Sequence, residues 1–438
     1  MFGWRGRLLR VNLTSGLVRT EALEQVELRD YLGGRGLGVY LHARDVSVST
    51  PPLSPGNHLI FTTGPLTGTL APNGGRFTVV TRTPPAGALV AASISGKWGP
   101  ALKCAGFDAI VVEGRAAEPV YLLASDGKAE IRAAASMRGK PVTETTELLL
   151  KETDPRAVAA CIGPAGENAV GCAVIVSDGF SAAGRGGAGA VMGSKNLKAV
   201  VVSGTGGFRM ADQHRFLKSA LELRSFMKAR SIDLKGARTH DPVLEADSLE
   251  WNDVKQDSGA ARTRGCFGCA TSFSSFLSDD GRSLPLLAGS PPAELNECLR
   301  EYRYFLDLGL DYSVAKGLLA SLGEKSQRDN EELVQKLAAG QLPQQGGHGV
   351  NVPSMDRGPC IAAGYAIFPR IQAADGLDQA ASDLMAILDS AGLCPFLCSG
   401  IGMDTISELL TSATGIEFSQ PAVVNVAERI SRSLRWID

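Results

Sequence analysis

Near residue 207 the hydrophobic repeat of this chain changes period once, and that change divides it into a sheet-built half and a helix-built half. Before it, short β-branched runs alternate with Gly and Pro: Leu8 to Leu13, Leu59 to Thr63, Phe77 to Thr81, Ala109 to Val112, Val120 to Leu123, Val158 to Ile162, Ala173 to Val176 and Ala199 to Val202. Only Leu28 to Val46 and Thr143 to Glu152 read as clear helices there. After it, helical spacing takes over at Asp212 to Met227, Pro292 to Leu308, Tyr312 to Leu322, Asn330 to Leu337, Gln379 to Ala391, Asp404 to Leu410 and Pro421 to Trp436. The fold class expected is α+β: two antiparallel or mixed sheets, then helical domains. The domains expected are residues 1–207, a mainly helical 208–345 that carries a CxxC, and a helical 346–438. Strands and Gly-Arg loops recur in both portions of the first half, which points to a pseudo-duplication.

Glycine-rich loops carry the chemistry. Ser181 to Lys195 reads SAAGRGGAGAVMGSK. Gly184, Gly186, Gly187 and Gly189 let backbone N–H groups approach a ligand, and Arg185 supplies a two-pronged donor for phosphate or carboxylate. The alanines and Val191 make the loop apolar and packed, unlike a linker. Taken alone, such a loop is equally a structural turn. Two further loops, Gly33 to Gly38 and Asn73-Gly74-Gly75-Arg76, lie in the same half. Neither follows a strand with dinucleotide spacing, and no Gly-Lys-Ser/Thr follows, so NAD and ATP are not expected.

Acidic and basic residues balance at 46 against 44, so bulk charge gives no reason for nucleic acid or an anionic membrane as partner. The N-terminus lacks an apolar h-region, and with no spanning segment the expectation is a cytoplasmic protein. Nine cysteines without a secretory signal read as reduced thiols. Cys104, Cys161, Cys172, Cys298 and Cys360 stand alone and read as small buried hydrophobes. Cys266-Phe267-Gly268-Cys269 can curl around one metal or hold cluster iron, or serve as a redox pair or half a zinc knuckle.

Several motifs in order carry a resemblance: YLGGRGLGVY at Tyr31 to Tyr40, FTTGPLTGT at Phe61 to Thr69, GPALKCAGFDAIVVEG at Gly99 to Gly114, IGPAGEN at Ile162 to Asn168 and AAGRGGAGAVMGSKNLKAVV at Ala182 to Val201. The chain resembles the tungsten-dependent aldehyde:ferredoxin oxidoreductases, closely over residues 4–206 and in islands afterwards. The resemblance implies a base that holds a bis-pyranopterin with tungsten or molybdenum, with Mg²⁺ bridging the pterin phosphates. It assigns cofactor contacts to Arg76, to Ser93, Ser95 and Gly96, and to Ala182, Ala183, Gly184, Arg185, Gly186 and Gly187. It also matches Asp-x-x-Gly-Leu-Cys at Asp389 to Cys394, implying that Asp389, Gly392 and Leu393 meet a pterin. Cys266, Cys269 and Cys394 map onto ligands of a [4Fe–4S] cluster that would pass electrons to ferredoxin or another electron-transfer protein.

The sequence departs from that pattern in places. The third cysteine of CxxCxxxC is Phe273, for which Cys398 could substitute; otherwise the cluster is lost. An earlier copy of the Asp motif, Leu306 to Asp311, has Leu306 where the carboxylate would stand, so one pterin would lose an anchor. The stretch from Asp311 to Cys394 is short, implying a trimmed substrate-channel lobe. Leu284 to Pro291 has no acid and Gly358 to Arg370 no His, while Glu294, Glu297 and His348 read as solvated residues, so no catalytic residue is assigned. The expected activity is oxidation of a small aldehyde to a carboxylic acid. The alternative is a degenerate paralogue acting as an electron-transfer or structural partner subunit, in a homodimer or hetero-oligomer.

Overall fold

The computed structural model describes residues 1–84, 87–179, 181–184, 186–236, 266–269, 276–277, 284–285, 301–321, 327–342, 377–394, 397 and 401–435. The first half is one topological unit used twice. Its first copy runs β1 (Arg7–Asn12), β2 (Leu17–Ala22), α1 (Gln25–Tyr31), α2 (Gly34–Asp45), β3 (Leu59–Thr63), β4 (Phe77–Thr83), β5 (Ala88–Ile94), α3 (Trp98–Cys104) and β6 (Ala109–Glu113). Its second copy runs β7 (Val120–Ser125), β8 (Lys128–Ala133), α4 (Val142–Glu152), β9 (Val158–Cys161), α5 (Pro164–Glu167), β10 (Val176–Ser177), β11 (Ser181–Ala182), α6 (Ala188–Ser194) and β12 (Leu197–Ser203). The sheets have equivalent orders, β2-β1-β6-β3-β4-β5 and β8-β7-β12-β9-β10-β11. Pairing senses agree too, with one parallel ladder in each, β1 with β6 and β7 with β12. The pseudo-duplication is therefore complete in the order and pairing of the strands.

Both sheets are covered on both faces, which is why β3 and β12 are buried at nearly every position rather than alternately. One core lies between the sheets, with Phe61, Phe77, Ile110 and Val200 facing Trp98 and Met192. The connecting helices cross over inside it: α3 packs on β12 and β9 of the other sheet, and α6 packs on β4. Trp98 fixes this crossing, since its ring lies against Phe77 and its indole N–H donates to Val200 O at 3.0 Å. The later helices are α7 (Gln213–Gly236), α8 (Tyr312–Ser321), α9 (Gln327–Ala338), α10 (Leu377–Ala391), α11 (Met403–Thr414) and α12 (Gln420–Arg435). With α2, helices α10 to α12 bury the outer face of the first sheet, while α4 covers that of the second. Among the described residues no helix is long and apolar enough to cross a membrane.

Three expectations need correction. The helix expected from Leu28 to Val46 is two helices, broken where Leu32 takes a positive φ of 60°. Strand structure begins at Val176 rather than Ala173. Strands β2, β5 and β8 and helices α3 and α6 have no counterpart in the sequence reading. β2 and β8 are polar and mostly solvent-facing, so they lack a hydrophobic signal. α3 and α6 are seven-residue helices sunk in the inter-sheet core, so no polar face reveals their period.

A fully buried ion pair ties the chain's start to this core. Lys103 Nζ donates to Asp108 Oδ1 at 2.9 Å and to Gly3 O at 2.7 Å, and Asp108 Oδ2 accepts the Arg5 and Gly6 N–H groups. Burial pushes the Lys103 ammonium below its ordinary range, against the pull of Asp108. Lys103→Met should cost about 3 kcal/mol, because it strands a buried carboxylate. Urea unfolding of the variant measures this.

Candidate functional site

The end of α10 sets the geometry. Gly392, at φ 85°, closes the helix, and Leu393 N–H donates back to Leu388 O at 2.9 Å in the six-residue closure that a glycine here allows. Ser390 Oγ accepts the Gly36 N–H at 3.0 Å and donates to Ala386 O, joining α10 to the start of α2. The approach is so close that a Cβ on Gly34 would lie 2.0 Å from Asp389 O, and one on Gly64 2.1 Å from the Ala391 carbonyl carbon.

That contact buries Asp389, 3% exposed, against the first sheet. Arg35 Nη1 lies 3.9 Å from its Oδ2, while Asp389 Oδ1, Arg35 Nε and Thr78 Oγ1 are buried without a hydrogen-bond partner. Thr78 is the cross-strand partner of Ser93. Burial drives the Asp389 carboxyl above its ordinary range, although Arg35, Arg76 and the Ser93 hydroxyl pull the other way. The site holds one carboxylate with an open acceptor and a guanidinium with an open donor.

Arg76 brackets this site. Its Nε donates to Ser93 Oγ at 2.8 Å, its Nη2 to Ser93 O at 2.8 Å, and its Nη1 reaches Cys394 Sγ at 3.6 Å. The CxxC turn arrives on the same strand lead. Asn73, itself at a positive φ of 58°, donates its N–H to Gly268 O at 2.9 Å, and its carbonyl accepts Cys394 N–H at 3.1 Å. Cys269 N–H closes on Cys266 O at 3.0 Å, and Cys266, Cys269 and Cys394 are all only partly buried. Burial raises the Cys266 thiol, with the Ser95 hydroxyl and Arg76 opposing. Thus the three mapped cysteines hang from residues 73–76. Among the described residues no three His, Cys, Asp or Glu side chains are placed to share one metal ion. Phe273 and Cys398 lie outside the described residues, as do Arg185, Cys298, Cys360, Glu294, Glu297 and His348.

The other loop belongs to the second copy. Ala182 ends β11, Ala183 is buried in the inter-sheet core, Gly186 lies against Val90, and Gly187 takes φ 67° ahead of α6. Gly184 faces the Asp311 carboxylate, where a Cβ would come within 2.8 Å of Oδ2. Asp311 also caps α8 by accepting Val314 N–H at 3.0 Å. Ser95 and Ser181 join the two copies through their hydroxyls, 3.2 Å apart, and Asp178 accepts Lys97 N–H beneath Gly96. Sequence reasoning passed over Arg35 and Thr78. The Gly33 to Gly38 loop was the available signal for Arg35; nothing local marked Thr78.

The duplicated two-sheet base with this helical cover recurs in a solved structure. It matches the active site complex BamBC of benzoyl coenzyme A reductase in complex with 1,5-dienoyl-CoA at a TM-score of 0.79, covering 100% of this chain and 89% of that one at 22% identity. Residues 8–204 match the pattern of the aldehyde ferredoxin oxidoreductase N-terminal domain, and residues 322–437 that of domains 2 and 3. The chain belongs to the aldehyde ferredoxin oxidoreductase family. It is 31% identical to the tungsten-containing aldehyde ferredoxin oxidoreductase of Pyrococcus horikoshii and 33% identical to that of Pyrococcus furiosus, each over 98% of this chain and 88% of the relative. An aliphatic sulfonate oxidoreductase, WOR-like subunit, of Pyrococcus furiosus is 38% identical over 47% of this chain and 35% of that protein.

Proposed function

We propose that this chain binds a tungsten or molybdenum pyranopterin and oxidises an aldehyde to its carboxylic acid, passing electrons to ferredoxin or another electron-transfer protein. The observation that carries this reading is the buried Asp389 oxygen without a partner, beside an equally unpartnered Arg35 Nε. A buried polar group left open is costly, and a pterin ring edge offers parallel N–H donors to the carboxylate and acceptors to the guanidinium. The fit is therefore good at this position. Relatives named as tungsten-containing support the choice of metal.

In this reading Asp389 holds the ring edge, Arg35 and Arg76 keep the carboxylate charged once the ligand is present, and the Gly392–Leu393 turn fixes its direction. Ser93 would stand with Arg76 beside the ring edge, and Ser95, Gly96 and the Ala182 to Gly187 loop, with Arg185, would meet the phosphate end, where Mg²⁺ would sit. Such a cofactor, when bound, accepts the electron pair released when an aldehyde and water become a carboxylic acid and two protons. Cys266, Cys269 and Cys394 would ligate iron of a [4Fe–4S] cluster, with Cys398 as the remaining thiolate. The chain would work as domains 1–207, 208–345 and 346–438, with the WOR-like relative and the BamBC neighbour supporting assembly with another subunit.

Elemental analysis of anaerobically purified protein tests this: tungsten or molybdenum together with iron is expected, with aldehyde-dependent viologen reduction. Absence of both tungsten and molybdenum would overturn the reading. Cys398→Ser should remove iron while leaving tungsten or molybdenum; unchanged iron rejects Cys398 as a ligand.

A further inference from the structure

The two copies of the fold place their equivalent positions in register, and these positions differ in chemistry. Gly36 N–H bonds to Ser390 Oγ in the first copy, and Thr143 N–H bonds to Asp307 Oδ1 at 2.7 Å in the second. Leu66 N–H bonds to Ala391 O, and Ala165 N–H to Leu308 O, both at 3.0 Å. Gly392 and Gly309 both take positive φ, and Leu310 N–H closes on Phe305 O as Leu393 does on Leu388. Strand pairing completes the match: Phe61 with Val79 and Ala160 with Ser177 are equivalent pairs, as are Thr78 with Ser93 and Val176 with Ala182.

By this register Arg35 corresponds to Val142, Thr78 to Val176, Arg76 to Val174, Ser93 to Ala182 and Asp389 to Leu306. Each of these five polar residues is apolar in the second copy, whereas Ser390 and Cys394 correspond to Asp307 and Asp311. The replacements are also packed together: Val142, Val174, Val176 and Leu306 lie in one hydrophobic cluster under α4, with Ala182 against it. Each of those four is 5% exposed or less. The first position keeps three buried polar atoms without partners, whereas the second has been filled with core.

We propose that this chain recognises one pterin ring, at Asp389, and that the pseudo-equivalent position at Leu306 is a sealed core that takes none. A heterocycle edge rich in N–H groups would find no acceptor among these side chains and would have to displace a dry cluster. This inference rests on the pterin reading above and narrows the bis-pyranopterin expectation to a single ring per chain.

Pterin content measures it directly. The anaerobically purified holoprotein is denatured, its pterin is oxidised to the fluorescent form, and the yield is compared with protein and with tungsten or molybdenum. One pterin per chain and per metal atom is expected; two would overturn the inference while leaving the pterin reading intact, and none would overturn both. Val174→Ala supplies an independent check. It should lower the melting temperature and leave the pterin content of the folded protein at one per chain. An unchanged melting temperature, or a loss of pterin from folded protein, would overturn the sealed-core assignment.

Discussion

Asp389→Asn should yield a folded protein that retains almost no pterin or metal. Asn keeps the size of the side chain but replaces one acceptor with a donor and removes the charge that a ring edge would meet. Truncating one partner of a buried, charge-assisted pair typically costs about 3 kcal/mol, hence roughly a hundredfold in affinity. Desalting the variant and assaying pterin and tungsten by mass reads that loss. The fold should survive, because without ligand Asp389 is a liability. Its folded pKa lies above the ordinary 3.8, so the folded state holds the proton more tightly than the unfolded state does. Stability of the empty protein therefore falls as pH rises from 3.8 through the folded value, and the Asn variant should lack that component. Thermal melts of empty wild type and variant across this range compare the two slopes. A variant that loses ligand only because it unfolds would contradict the assignment.

The second large effect is expected at Gly64. An added methyl would sit 2.1 Å from the Ala391 carbonyl carbon and 2.4 Å from Gly392 N, and neither backbone group can yield without moving the end of α10. Gly64→Ala should cost about 3 kcal/mol or more and also empty the site, since Asp389 and Cys394 both ride on that helix end. Gly163, its equivalent in the second copy, faces Leu308 at 2.4 Å. Gly163→Ala should destabilise comparably yet leave pterin content intact in the folded fraction. Chemical unfolding and pterin assay of the two variants side by side separate the two consequences.

The change of period near residue 207 was legible because covered sheets and amphipathic helices leave opposite imprints on a sequence. The duplicated topology was legible only in outline. Its two copies align through backbone hydrogen bonds made by Leu66 and Ala165, or by Leu393 and Leu310, while the side chains at Asp389 and Leu306 have opposite polarity. A comparison of residue types therefore hides what the ladders reveal. Asp389 was found through its motif and Arg76 through its glycines. Arg35 was missed because it lay inside what read as a continuous helix, and only the break at Leu32 and Gly33 turns it toward Asp389. The Leu306 substitution was visible from the start; its consequence was not, because Val142 and Val174 lie far from it in sequence and join it only in three dimensions.

The exchange of α3 and α6 between the sheets has a bearing on how the molecule comes apart. Each copy lends its helix to its neighbour's interior, so cutting the chain between β6 and β7 would leave two halves, each with a hole where a borrowed element belongs. Such an interlocked pair has no stable half-way stage, and the first two hundred residues should melt as one calorimetric unit despite their two repeated sheets. The same handshake requires contacts between residues as distant as Trp98 and Val200 before either core closes, which makes slow folding the counterpart of that single melting step.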